Sequence, residues 1–427
     1  MQEALTRPKF AAGPLVMLSL LVGASWCMQQ SFGTVQEAAK AELHLSDSQL
    51  GLLQGLAVSI PIAVLAVPIG RLIDRGNRMR LMIVLAMLWS AGTLLTAFAP
   101  DFALLFVARM MAGLGATCAV GAAISIGADL CAPESRGRAM LILTIGKWAG
   151  TAAAFALAGG LYGLFLHGGA PWASAGLPPW RAAHLALGIL SLLLILPALA
   201  LREPARQEVE AGEHASLRVV LRELAARRAF LIPLFIGQIG VAMVDVAASI
   251  WIAPVLTRDY GLTADHFGGT VGAIVFGVGI AGSVLGGLLA DRGQRSGRRG
   301  GILGSALIFA AIGVPAALFP VMPGAGICLT LFGVLILSGT VCGLVTAAAL
   351  SVLIPNELRG VCLGAFIAIA GVIAFGIAPS LVTGLAGLMG SGAHLGAPLA
   401  IVGVVVGILS IVAFRIAIRN APRQAIR

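Results

Sequence analysis

The sequence predicts an all-α polytopic membrane protein, with twelve transmembrane helices in two pseudo-symmetric six-helix halves. Three observations predict it. Hydrophobic residues make up 59% of the 427 and charged residues 11%, and mean hydropathy is +0.99; a soluble domain carries about 25% charged residues. The apolar runs are about 20 residues long, helix length for a bilayer, and lack the alternation of a barrel strand. Finally, Gly70-Arg71-Leu72-Ile73-Asp74-Arg75-Gly76 returns as Gly287-Leu288-Leu289-Ala290-Asp291-Arg292-Gly293, displaced by 217 residues, about half the chain. Each copy lies between apolar runs and precedes a basic cluster, Arg78 and Arg80 in the first, Arg295, Arg298 and Arg299 in the second. Such duplication is the signature of a membrane carrier built from repeats.

The first half, residues 1–201, takes spans at 14–36, 49–70, 80–98, 104–130, 138–164 and 182–201. The first 13 residues are polar and no small-residue cleavage site follows the first run, so that run reads as a retained span. Ser46 and Asp47 read as the N-cap of span two. The loop 165–181 holds Trp172, Pro178, Pro179 and Trp180, with the tryptophans placed to anchor at the interface. Residues 202–229 are rich in Arg and Glu and form a cytoplasmic connector, read partly as a surface helix with a solvated face. The second half, residues 230–427, takes spans at 230–257, 268–290, 300–319, 325–353, 360–388 and 396–418. A second echo supports duplication: Pro133-Glu134-Ser135-Arg136-Gly137 after span four answers Pro355-Asn356-Glu357-Leu358-Arg359-Gly360 after span ten. The 56 glycines suit helices that must approach closely in lipid.

The net charge of +10 is distributed by topology. Only Lys40, Arg181 and Arg258 fall in outward segments, Arg109 and Lys147 fall within spans, and the rest face the cytoplasm. That asymmetry predicts a cytoplasmic inner-membrane protein with both termini inside. No basic patch is interleaved with aromatics, which argues against nucleic acid, and no GxxxxGK[ST] occurs, which argues against ATP drive. The six cysteines lack CxxC spacing and read as small packing residues. No cofactor or metal is implied. The expected partners are membrane lipids and a small-molecule or lipid-like substrate, and the expected state is a monomer.

Gly70, Asp74, Arg75, Gly76 and Arg78 resemble the Gly-x-x-x-Asp-Arg-Gly-x-Arg motif of the major facilitator superfamily, and Arg109, Gly113 and Gly115 its span-four Arg-x-x-x-Gly-x-Gly. Within it, the chain is similar to the spinster-like branch at Ser46–Leu53, Pro68–Arg78, Pro179-Trp180-Arg181-Ala182-Ala183 and Leu201-Arg202-Glu203-Pro204. The resemblance implies the superfamily fold, transport by alternating access and, through animal relatives of the branch, lysolipid or sphingoid substrates. The sequence departs from the branch where it usually carries Asp-Arg in span one and Gly-x-Gly-Glu-Ala in span four. Gln29-Gln30 and Gly113-Leu114-Gly115-Ala116-Thr117 stand there instead. A glutamine exchanges no proton at physiological pH, so branch-type coupling through span one is not expected.

Two residue sets follow. Gly70, Asp74, Arg75, Arg78, Asp129, Glu134, Arg136, Asp291 and Arg292 form an expected conformational latch. There Asp74 pairs with a helix N-terminus or with Arg136 in one state and releases it in the other; the bland alternative is a solvated topogenic loop. Arg109, Lys147 and Asp245 lie deep in spans four, five and seven, each at a cost of at least ~2.5 kcal/mol unless it faces the bundle or a wet cavity. Either they satisfy one another structurally, or they polarise a substrate site. In the second case Arg109 and Lys147 receive an anionic group, Gln29, Gln30, Thr34 and Gln238 add neutral hydrogen bonds, and Trp26, Trp148 and Trp251 supply apolar walls. Asp245 is either an exchangeable proton site or a fixed counter-charge. The expected function is a secondary active or facilitative transporter for an amphiphilic, anionic or lysolipid-like compound. Uptake of a small organic anion is the alternative, and a membrane enzyme or receptor is the remote one.

Overall fold

The computed structural model describes residues 11–132, 135–169, 176–206, 217–354, 358, 362, 365–366, 369–390 and 394–422. Every regular element among them is helical: α1 (Ala12–Glu42), α2 (Asp47–Gln54), α3 (Leu56–Arg75), α4 (Arg78–Phe98), α5 (Phe102–Asp129), α6 (Arg136–Leu166), α7 (Pro179–Ala198) and α8 (Leu217–Ala226). They continue with α9 (Arg228–Arg258), α10 (Ala264–Arg295), α11 (Gly304–Ala316), α12 (Ala325–Leu353), α13 (Ala378–Met389) and α14 (Gly396–Asn420). A 3₁₀ turn, Gly301–Leu303, leads into α11, and a π-helical stretch, Gly371–Ile377, leads into α13. Twelve of these segments are long and apolar enough to cross a membrane, and α8 is a short helix within the connector.

Local chemistry accounts for the starts. Ser46 and Gln49 form a reciprocal capping box ahead of α2, Gln49 N–H donating to Ser46 Oγ at 3.1 Å and Ser46 N–H to Gln49 Oε1 at 2.8 Å. Asn77 accepts from Arg80 N–H at 2.7 Å and Asp101 from Leu104 N–H at 2.9 Å, which starts α4 and α5. Several helices outrun their apolar runs, α1 to Glu42 and α10 to Arg295, because hydropathy marks depth in hydrocarbon and not the end of hydrogen bonding. The two motif copies therefore differ in form. The first breaks between α3 and α4 at Gly76-Asn77; the second, Asp291 and Arg292 included, stays helical through Arg295.

Contacts divide the chain into two compact units that do not coincide with the sequence halves. One comprises Met1–Leu45, Ala57–Ala211 and Ala264–Phe276; the other Ser46–Leu56, Gly212–Thr263 and Gly277–Arg427. The first unit is built on α1 against α6. A methyl on Gly150 would fall on the carbonyl of Gly23, and Gly146 meets Ser19, so the Gly146-x-x-x-Gly150 pair lets two backbones touch. Leu18, Val22, Met82, Trp89, Ala119 and Leu187 fill its core. The second unit packs α9 against α12 and α14 around Phe230, Leu234, Val341, Val345 and Phe414. The start of span two joins it because α2 lies on span eleven. A side chain at Gly55, where span two breaks, would meet the carbonyls of Phe375 and Gly376 at 2.9 and 3.0 Å.

Candidate functional site

In the first unit the candidate residues converge on one side of α1, where Trp26, Gln29 and Phe32 recur at three-residue intervals. From α5, Arg109 is 2% exposed. Its Nη2 donates to the carbonyl of Gln29, and its guanidinium sits 5.3 Å from the centre of the Phe32 ring. From α6, Lys147 follows the glycine that lets α6 meet α1. Its Nζ stands 4.9 Å from the ring centre of Trp26 and 4.9 Å from that of Trp148. Cation–π contacts are worth about 0.5–2 kcal/mol each, rising with desolvation. Gln29 is buried, and its Oε1 and Trp26 Nε1 make no hydrogen bond among the described residues. Gln30 is half-buried. Thr34 is committed elsewhere, its hydroxyl donating to Ala154 O at 3.1 Å. Phe32 was missed from sequence, since an aromatic among apolar residues carries no signal until its cation is placed.

The second unit holds Asp245, Gln238 and Trp251, all on α9. Gln238 Oε1 accepts from Thr346 Oγ1 at 3.0 Å. Trp251 is fully buried in packed core, so it is no cavity wall here. Asp245 lines a cavity of about 20 Å³ with Phe309, Ser338, Gly339 and Cys342. Back in the first unit, the buried His184 sits between the rings of Phe32 and Trp180, and its Nδ1–H donates to Trp180 O at 2.8 Å. It is a packed histidine.

The expected latch is redistributed. The hub is Arg78, 2% exposed, which donates to Asp129 Oδ2 at 2.5 Å and Glu203 Oε1 at 2.7 Å. It also bonds the carbonyl and hydroxyl of Ser125, at 3.2 and 3.1 Å, and Pro204 O at 3.2 Å. Asp74, placed at the centre of the latch from sequence, is exposed and makes no ion pair among the described residues; its backbone carbonyl, not its carboxylate, is engaged, by Arg206. The expected partner Arg136 is half-buried at the start of α6, and Glu134 lies outside the described residues. Arg75, Asp291 and Arg292 are exposed, and Gly70 has open space around it. The physical reason is position in the motif: the last residue, Arg78, opens α4 and faces the unit's interior, whereas Asp74 ends α3 on the outer side.

At the opposite helix ends lie ion pairs that sequence reasoning missed. Arg258, closing α9, grips Asp47 with both terminal nitrogens, at 2.7 and 3.0 Å. Arg181 donates to Glu42 Oε1 at 2.8 Å and to Ala97 O at 3.0 Å, and Trp180 Nε1 donates to Glu42 Oε2 at 2.5 Å. Tyr260 donates to Met322 O at 2.7 Å; burial, then Cys328 and the Asp259 carboxylate, push its phenol above the usual range. A signal was present: Arg181 and Arg258 were the two arginines that broke the charge asymmetry.

The family model described as Major Facilitator Superfamily matches residues 16–379. Among characterised relatives, an MFS-type efflux pump of Mycolicibacterium smegmatis is 24% identical over 60% of this chain and 57% of its own. The 3-(3-hydroxy-phenyl)propionate transporter of Escherichia coli is 28% identical over 57% of this chain and 54% of its own. The gentisate transporter of Corynebacterium glutamicum is 40% identical over 20% of this chain and 19% of its own. The chain thus spans little more than half the length of the first two. Among solved structures, a bacterial homologue of the human lysosomal transporter Spinster, in an inward-facing and unoccupied conformation, superposes with TM-score 0.80 at 21% identity, covering 97% of this chain and 99% of that one. The nucleoside transporter NupG superposes with TM-score 0.72 at 11% identity, over 95% of this chain and 99% of that one. At those identities the likeness is one of fold.

Proposed function

The chain belongs to the major facilitator superfamily, and from that premise we propose that it carries an amphiphilic organic anion, with an aryl carboxylate as the substrate class that suits it best. It is a multi-pass membrane transporter and not an enzyme. The observation that carries the substrate reading is Lys147 with its ammonium between the indoles of Trp26 and Trp148. A carboxylate meets that ammonium in a charge-assisted hydrogen bond, and a flat apolar body stacks on the indoles that flank it. Arg109 adds positive charge farther along α1, where it meets the Gln29 carbonyl and the Phe32 ring. Gln29 Oε1 offers an acceptor to a substrate hydroxyl and Trp26 Nε1 a donor to a substrate oxygen. Two of the relatives are named for carboxylates, which supports the same class. Alternating access, placement in the inner membrane and cytoplasmic termini complete the proposal, the last two supported by the distribution of Lys and Arg.

The lysolipid reading has one observation in its favour, an apolar groove of about 410 Å³ between α13 and α14 lined by Leu381, Leu385, Leu388, Ile401 and Val405. Competition decides between the two. Purified protein in proteoliposomes is offered labelled 3-(3-hydroxyphenyl)propionate, with unlabelled gentisate, the neutral amide of the probe, or a lysophospholipid as competitor. Competition by gentisate and not by the amide supports the aryl carboxylate; competition by the lysophospholipid alone overturns it.

A further inference from the structure

The second motif copy ends in a concentration of cations. Arg292 and Arg295 lie in the last turn of α10, Arg298 and Arg299 in the loop after it, and Arg415 and Arg419 in the last two turns of α14. All six are exposed, and all belong to the second unit. The loop is folded so that they gather. Gly297 and Gly300, at φ 63° and 64°, turn it back through the left-handed region that glycine adopts without strain. A methyl on Gly300 would stand 2.9 Å from Ile418 O, so the loop backbone lies against the last turn of α14. Arg299 Nε then donates to Ala421 O at 2.7 Å.

In the first copy, Arg78 is answered by Asp129 on α5 and by Glu203 after α7. The second unit gives no such answer. α12, the counterpart of α5 in the repeat, contains no charged residue, and neither does α11. Asp291 is the one carboxylate on the ends of α10 and α14 and in the loop after α10. No ion pair joins it or any of the six arginines among the described residues. Six arginines against one aspartate leave a formal excess of five positive charges.

The helix faces that lead to these cations are apolar. On α14, Val405, Ile408, Val412 and Ile416 are exposed and recur at three- and four-residue intervals, and Arg415 and Arg419 continue the stripe. On α10, exposed Val284 and Leu288 lead in the same way to Arg292 and Arg295. A stripe that is apolar along the span and cationic at its end matches a phospholipid, with acyl chains beside the apolar turns and a phosphate at the guanidinium level. Topology alone asks for positive charge at one side of a membrane. It does not ask for a loop folded onto α14, or for the missing carboxylates.

We propose that the ends of α10 and α14, with the loop after α10, form a binding surface for the headgroups of anionic phospholipids of the surrounding membrane. The phosphate accepts charge-assisted hydrogen bonds from the guanidinium forks, and the acyl chains lie along the exposed stripes of the two helices. The proposal rests on the chain spanning a membrane and is independent of which substrate it carries.

Fluorescent phosphatidylglycerol and phosphatidylcholine with the same acyl chains, titrated against the purified full chain in neutral detergent and read by anisotropy, test it. Phosphatidylglycerol should bind more tightly. Arg415→Gln with Arg419→Gln should weaken it by about fivefold for each arginine removed and leave phosphatidylcholine unchanged. Equal affinity for the two lipids in the wild type overturns the proposal, as does unchanged phosphatidylglycerol affinity in the variant. Should the variant fail to fold, a salt series on the wild type decides. Raising ionic strength from about 0.01 M to about 1 M shortens the reach of the charges from roughly 30 Å to roughly 3 Å. A preference for phosphatidylglycerol that survives the series intact overturns the proposal. Soluble glycerol phosphate is the last arm: if it displaces the fluorescent lipid as readily as unlabelled phosphatidylglycerol does, the surface takes free phosphate and the lipid reading fails. None of these readouts requires a transported substrate.

Discussion

Arg78 and Glu203 meet at 2.7 Å, Nε to Oε1, although 125 residues separate them. The second oxygen of Glu203 accepts from Met79 N–H at 2.8 Å, in the first turn of α4. Three residues on, Arg206 donates to the carbonyls of Ile73, Asp74 and Gly76, where α3 ends. One short stretch of connector therefore caps both helices of the motif turn, with an anion at a helix start and a cation at a helix end, as the helix dipoles favour. The repeat keeps half of this device. Arg299 Nε donates to Ala421 O at 2.7 Å; Ala421 lies 217 residues after Pro204, whose carbonyl Arg78 binds, but the donor is displaced by 221 residues, so a neighbour of Arg295, the positional counterpart of Arg78, makes the contact. Asn420 stands where Glu203 would recur, so the carboxylate half of the device is not repeated there.

The hub fixes an order of costs. Arg78→Ala leaves Asp129 and Glu203 without their shared cation and lowers stability by about 3–5 kcal/mol. Asp74→Asn, at an exposed carboxylate, changes stability by less than about 0.5 kcal/mol. Thermal unfolding in detergent measures both. Equal losses in the two variants would return Asp74 to the centre of the latch.

The fold was legible because the lipid environment leaves few options: the apolar runs and the Ser46 cap each found their structural counterpart, whereas the motif copies at Asp74 and Asp291 took different forms. The Lys147–Trp26–Trp148 cluster was legible in part, since an ionisable group inside a span must face protein. Partners were not legible. Arg78, Asp129 and Glu203 are three loop-end charges among many until the helices are placed. Residues Asp47 and Arg258 belong to different sequence halves, and only the meeting of the start of α2 with the end of α9 reveals why both are there.

That pairing carries its own test. Asp47 and Arg258 are partly buried, 21% and 8% exposed, with two hydrogen bonds between them. A double-mutant cycle with Asp47→Asn and Arg258→Gln should return a coupling energy of about 0.5–3 kcal/mol, larger than for Arg227 and Glu223, an exposed pair one helical turn apart. Additive losses in thermal unfolding would mean that the contact contributes nothing beyond its two parts.

Backbone contact between α1 and α6 positions Lys147, so it should be sensitive to volume. Gly150→Val drives a branched side chain into the Gly23 carbonyl, and overpacking of this kind costs about 1–3 kcal/mol or prevents assembly. Gly137→Ala, where a methyl meets nothing within 4 Å, serves as the control on the same helix. Comparable yield and melting temperature in both would show that α1 and α6 can separate without loss.

The last prediction concerns the ammonium itself. Lys147→Met keeps length and apolar contact with the two indoles but removes the charge. If the charge serves the fold, the loss appears as lower stability and is the same for every ligand. If it serves the substrate, stability changes little and the loss falls on anions alone. A charge-assisted hydrogen bond contributes about 1.5–3 kcal/mol, so an aryl carboxylate should bind at least about tenfold more weakly to the variant. Its neutral amide should bind the two proteins alike. Lys147→Arg restores charge but offers a planar fork in place of a compact ammonium, and should recover part of the anion affinity. Isothermal titration of the three proteins with the paired ligands separates these outcomes, and equal weakening for acid and amide would make Lys147 a structural residue.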